Sequence, residues 1–100
     1  MRSVFIARIK WIPFEDGGRS VLIPQGVRYC PIIHIPSNKS TIEWSIDFIS
    51  PNFKETDIIE FKFLSNNAPE ELLKCGEIYG LFEGPKKVAI IKILNKKTNL

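Results

Sequence analysis

The segment Val4-Phe5-Ile6-Ala7-Arg8-Ile9-Lys10-Trp11-Ile12 alternates: Phe5, Ala7, Ile9 and Trp11 share one face, and Arg8 and Lys10 the other. A period of two is the mark of a strand with one buried side. Thr41 to Phe48 alternates more cleanly, with Ile42, Trp44, Ile46 and Phe48 inward and Glu43, Ser45 and Asp47 outward. Ile58 to Leu64 repeats the pattern with Glu60 and Lys62 toward solvent. A strand through Ile32, Ile33 and Ile35, and two more over Ile78 to Phe82 and Val88 to Leu94, bring the predicted strands to six. Prolines 13, 24, 31, 36, 51, 69 and 85 fall at or near the ends of these runs, where a missing amide donor is tolerated. The one helical pattern is Pro69-Glu70-Glu71-Leu72-Leu73-Lys74 before Gly76. Proline and acids in its first turn, a cation in its last and a glycine beyond predict one or two turns.

Six short strands with polar or proline-bearing connections predict an all-β fold. The expected form is a small closed antiparallel barrel with one short helical turn, because closure removes exposed sheet edges. A two-sheet sandwich meets the same pattern. The predicted core holds Phe5, Ile9, Trp11, Ile42, Trp44, Ile46, Phe48, Phe61, Phe63 and several residues between Val88 and Ile93. No repeat, linker or low-complexity stretch divides the chain, so residues 1–100 are read as one domain.

Composition narrows the class of function. Hydrophobic residues make up 44% and charged residues 25%, the values of a globular chain with a core. No apolar run approaches the roughly 20 residues of a membrane-spanning helix, and Arg8 and Lys10 interrupt the first run too early for a signal peptide. Cys30 and Cys75 stand outside any paired metal spacing and are expected to be reduced, small buried side chains, which points to the cytoplasm. His34 alternates away from Ile33 and Ile35 and reads as a surface strand residue rather than a general base. No phosphate-binding Gly-x-x-x-x-Gly-Lys-Ser/Thr loop occurs. The expectation is a protein that is not an enzyme and needs neither cofactor, nucleotide nor metal.

Two glycine-containing charged turns stand out. Glu15-Asp16-Gly17-Gly18-Arg19 follows the first strand, and Glu83-Gly84-Pro85-Lys86-Lys87 precedes the last. Glycine tolerates positive φ, so the Gly17-Gly18 pair is expected to reverse the chain tightly, with Arg19 paired to Glu15 or Asp16 or free to meet an anion. Between the turns lie Val21-Leu22-Ile23-Pro24 and Gly26-Val27-Arg28-Tyr29, and before the second come Pro69, Gly76 and the strand Ile78 to Phe82. In this order and over nearly the whole chain, these motifs resemble the C-terminal β-barrel domain of the translation elongation factor Tu family. The chain departs from that pattern at Val27, Tyr29, Cys30 and Pro85, where the family has tyrosine, proline, glutamine and glycine. The resemblance implies a barrel standing free of the GTPase domain, with the first and last strands as neighbours. It also implies a binding surface for structured RNA such as transfer RNA, or for a translation component.

Charge is unevenly placed. Residues 1–40 carry six basic and two acidic side chains, residues 41–84 three basic and nine acidic, and residues 85–100 five basic and none acidic. If the terminal strands are neighbours, Arg2, Arg8, Lys10, Lys86, Lys87 and Lys92 share one side. An acidic side of Glu43, Asp47, Asp57 and Glu60 then lies opposite, a polarity that steers charged partners. The expected contacts with RNA or another anion are Arg8, Lys10, Arg19, Arg28, Lys86 and Lys87. A protein-binding adaptor, for example an immunity or antitoxin-like protein that blocks its partner with the acidic side, fits the same pattern.

Overall fold

A computed structural model describes residues 3–19, 23–51 and 56–98. Arg2, Val21 and Leu22, named above, lie outside the described residues. The strands are β1 (Ser3–Trp11), β2 (Arg28–Tyr29), β3 (Ile32–Ser37), β4 (Ser40–Ile49), β5 (Thr56–Phe63), β6 (Ile78–Glu83) and β7 (Lys86–Thr98). Every pairing is antiparallel, in the order β4-β3-β6-β7-β1-β5, and β5 returns to β4. That closes a six-stranded barrel, to which β2 adds a short seventh strand beside β4. The first and last strands pair from Ser3↔Thr98 to Trp11↔Ala89.

The second strand is the one part of the ladder that alternation does not announce. Tyr29↔Phe48 and Ile32↔Ser45 belong to one unshifted register, so β2 and β3 are two halves of a single strand running along β4. Cys30-Pro31 interrupts it, since proline has no amide to donate. The Pro31 carbonyl still accepts from the Ile46 amide at 3.0 Å. Pro36 lies within β3 opposite Thr41, where β3 has already run past its pairing with β6, which covers Ile32 to His34. A missing donor costs nothing on that open edge.

The hairpins use their turn residues as the backbone requires. Gly84, at φ 58, precedes Pro85 in the β6–β7 turn, the residue order of a type II′ reversal. Asn38 and Lys39 both take positive φ, 46 and 69, between the paired Ser37 and Ser40, as in a type I′ turn. Two register shifts bend the long β7, one near Leu94 against β1 and one near Val88 against β6. The second explains why the consecutive residues Val88 and Ala89 are both buried.

Inside, Phe5 stacks on Phe61 with ring centroids 5.2 Å apart and meets Phe63 edge-on at 6.0 Å. Ile9, Ile33, Ile35, Ile46, Leu81, Ile91 and Ile93 are fully buried in the same core. Most of the predicted core is buried, but Ile42 and Trp44 are only half-buried and pack at its margin. The cause is topological: β5 pairs with β4 only at Ile46↔Phe63 and Asp47↔Lys62, continued by the Leu64 amide on the Ser45 carbonyl. Among the described residues, the first half of β4 therefore has β3 on one edge and no strand on the other.

The predicted helical turn is a single 3-10 turn, Glu70–Leu72, after which Leu73 is extended. It is tied to the barrel by the Ser3 amide, which donates to Glu70 Oε2 at 2.8 Å, and by Tyr79, whose hydroxyl donates to the Leu72 carbonyl at 3.2 Å. A second 3-10 turn, Phe14–Asp16, follows β1. Both cysteines are exposed, against the expectation of burial: Cys30 falls on the outer face between Tyr29 and the buried Pro31, and Cys75 lies in the connection before β6.

Candidate binding face

The two glycine turns come together. Arg19 of the first forms an ion pair with Glu83 of the second, and Tyr29 of β2 donates its hydroxyl to the same carboxylate. Arg19 is thus paired across the barrel, not with Glu15 or Asp16 as the sequence suggested. The two glycines serve different ends. Gly17 has φ 95, whereas a Cβ on Gly18 would lie 1.8 Å from the Ile12 carbonyl oxygen. Only Gly17 needs the left-handed region; Gly18 is needed for close approach. That approach lets the Gly18 amide donate to the Pro13 carbonyl at 3.0 Å and directs Arg19 back toward Glu83. The Tyr29 ring packs between Trp11 at 5.9 Å and Phe48 at 5.6 Å. Burial first, then the Glu83 hydrogen bond and charge, push the Tyr29 hydroxyl above its ordinary pKa, against an opposing pull from Arg19. The group is a latch that joins the barrel's connections.

Arg28 lies elsewhere. It is on β2 and meets Asp47 on β4 with a two-pronged contact, Nε to Oδ1 at 2.8 Å and Nη2 to Oδ2 at 3.1 Å. The Arg28 hydrogen bond holds the Asp47 carboxyl below its ordinary pKa, and the Cys30 thiol adds a longer contact at 3.7 Å.

The expected acidic side is not a separate pole. Because β5 pairs with β1, Glu60 stands opposite Ile6 and is bound by Lys97 of β7 at 3.2 Å. Asp47 belongs to Arg28, and Glu43 Oε1 lies 3.2 Å from His34 Nε2. That contact is out of line for a hydrogen bond, so the buried Nε2 has no hydrogen-bond partner. The His34 ring stacks on Phe82, with centroids 3.6 Å apart and planes 7° from parallel. Gly80, opposite His34, makes this possible: a Cβ there would come within 2.8 Å of Phe82 Cε1 and 2.9 Å of Lys87 Cε. The ring and the lysine stem lie over the bare glycine backbone, with Lys87 Nζ 5.9 Å from the Phe82 ring centre.

Three cations share the outer wall of β1 and β7 beside β6. Arg8, Lys10 and Lys92 form the rim of a groove whose floor is Ile78 and Ile90. Its grid is set by register: Arg8 faces Lys92, which faces Ile78, and Lys10 faces Ile90, which faces Gly80. Like charges directly opposite on neighbouring strands repel. Among the described residues no carboxylate is in ion-pair range of these three cations. Ile78 keeps 59% of its surface exposed within a strand, where a polar residue is the usual occupant. Lys86 and Lys87 lie at the start of β7 beside the hairpin, with Lys86 opposite Glu83.

Of the six expected contacts, Arg8 and Lys10 enter the groove, Lys86 and Lys87 stand at the hairpin, and Arg19 and Arg28 are neutralised by Glu83 and Asp47. Lys92 was visible as part of the basic side, but Ile78 and Ile90 were not singled out. Alternation offers the signal for Ile78, since Tyr79 and Leu81 inward put Ile78, Gly80 and Phe82 outward. Comparison with protein-family models and with curated proteins finds no match. Among the described residues no helix is long and apolar enough to cross a membrane.

Proposed function

We propose that the chain is a non-catalytic adaptor that binds a protein partner through the outer face of β1, β6 and β7, in the cytoplasm. The observation that carries this reading is the groove: three uncompensated cations around two isoleucines. Cations alone serve an RNA backbone as well as a protein. An exposed aliphatic floor is of little use to phosphates, and the rings of Phe82 and His34 are occupied with each other. Pairing of Arg19 and Arg28 takes two cations from the set expected to meet RNA or another anion. Pairing of Asp47 and Glu60 likewise argues against an adaptor that works through an acidic side.

The test is capture from cell extract on the immobilised chain, with and without nuclease, alongside an Arg8→Glu/Lys92→Glu bait. A protein retained after nuclease and lost from the double variant supports the adaptor. Material released by nuclease overturns it in favour of structured RNA, transfer RNA included, held by Arg8, Lys10, Lys86 and Lys87. Binding would then fall with a log–log salt slope of about −0.7 per phosphate neutralised on a single strand.

A further inference from the structure

The grid of the groove specifies more than charge. Arg8 and Lys10 are two residues apart on one strand, so their Cα atoms are about 6.8 Å apart. That is also the spacing of every second side chain in any extended peptide. On β7, across a strand gap of about 5 Å, Lys92 stands beside Arg8 and Ile90 beside Lys10, and Ile78 lies beyond Lys92 on β6. The β1 flank of the groove is therefore cationic at a two-residue repeat, β7 in the middle carries Lys92 and Ile90, and the β6 flank carries Ile78. Gly80, opposite Ile90, adds no side chain of its own to that second flank.

We infer that the groove takes an extended acidic segment of the partner in which carboxylates alternate with an aliphatic side chain. Laid along β7, such a segment turns its carboxylates at every second position toward Arg8 and Lys10. The intervening apolar side chain turns toward Ile78 and Ile90. Lys92 lies between the two and meets the first carboxylate together with Arg8. The repulsion between Arg8 and Lys92 is relieved when a carboxylate sits between them, and the exposed surface of Ile78 is covered in the same step. A charged segment without the apolar residue would relieve only the first. This inference rests on the adaptor reading and names the chemistry of its partner.

A short synthetic peptide alternating glutamate and leucine, titrated calorimetrically against the full chain, tests it beside a control with serine in place of leucine. The leucine peptide is expected to bind with a Kd below about 1 mM, and the serine control about tenfold more weakly. Ile78→Ser should remove that difference. Arg8→Glu should abolish binding of both while leaving the melting temperature unchanged or higher, since it replaces a repulsive cross-strand pair by an attractive one. Equal binding of the two peptides, binding that survives Arg8→Glu, or no binding of the leucine peptide overturns the inference. So does an RNA hairpin that displaces the peptide from the wild-type groove. Failure of the peptides beside a nuclease-resistant captured protein sinks the groove chemistry alone; a nuclease-sensitive capture sinks the adaptor itself.

Discussion

Replacing Phe61 by alanine removes a ring that is 1% exposed, directly opposite Phe5 in register and stacked on it at 5.2 Å. Truncating a buried phenylalanine costs about 3–5 kcal/mol, cavity included, and the lost aromatic pair adds roughly 0.5–1.5 kcal/mol. The neighbours Phe5 and Phe63 are held by strands on both sides and cannot collapse into the space, so the upper part of that range applies: about 5 kcal/mol. At about 4–8 °C per kcal/mol for a domain of this size, melting should fall by 20 °C or more. Trp44 provides the contrast. It is the larger side chain, but it is only partly buried, because among the described residues no strand pairs with that edge of β4, so Trp44→Ala should cost only about 2 kcal/mol. Urea unfolding followed by far-ultraviolet circular dichroism measures both variants without depending on the tryptophan removed. A loss for Trp44→Ala equal to or above that for Phe61→Ala would mean that the core extends over the first half of β4, and the seam between β4 and β5 would have to be closed farther than described.

Gly18→Ala should cost more than Gly17→Ala, at the upper end of about 1–3 kcal/mol against about 1 kcal/mol, since the first meets the Ile12 carbonyl and the second only backbone strain; the same urea series ranks them. Lys39→Gly should stabilise the chain by about 0.5–1 kcal/mol in thermal unfolding, because lysine is held there at φ 69. The Asp47 pair should show in the acid limb of stability. Its folded-state pKa is lowered by Arg28, so its contribution is complete above the ordinary carboxylate pKa and is lost as pH falls through the folded value. Melting temperatures of wild type and Asp47→Asn should therefore differ at neutral pH and draw together only as pH falls below the ordinary carboxylate pKa; curves that stay parallel would show that the pair contributes nothing.

The barrel was legible wherever one face of a strand is covered along its whole length. β1 reads directly, as does the second half of β4, because burial there follows a period of two. The same rule misplaced Ile42 and Trp44, since alternation says which face points inward but not whether another strand arrives to cover it. β2 is only two residues long and has strand geometry because Phe48 and Ile49 are there to pair with it, a fact that belongs to β4. Val88 and Ala89 break the period because a bulge puts both inside. The charges were the least legible part. Arg19 and Glu83 are 64 residues apart, and nothing local distinguishes an arginine aimed at a distant glutamate from one aimed at a nearby aspartate. The groove combines three strands, two of them adjacent only because the barrel closes between the beginning and the end of the sequence.

That closure also governs when the fold can exist. A ribosome releases β1 before the other described strands and its partner β7 after them, and the pairing of residues 3–11 with 89–98 brackets every strand between. Until β7 emerges, Phe5, Ala7, Ile9 and Trp11 have only β5 beside them, and the barrel is an open sheet with its apolar face toward water. Contacts of such long sequence separation place folding in the slow, millisecond-to-second regime of β-barrels. During synthesis the apolar strands wait exposed, and association with other incomplete chains competes with folding. Lys10 and Arg8, spaced along the strand that waits longest, put positive charge on the nascent edge and repel its copies.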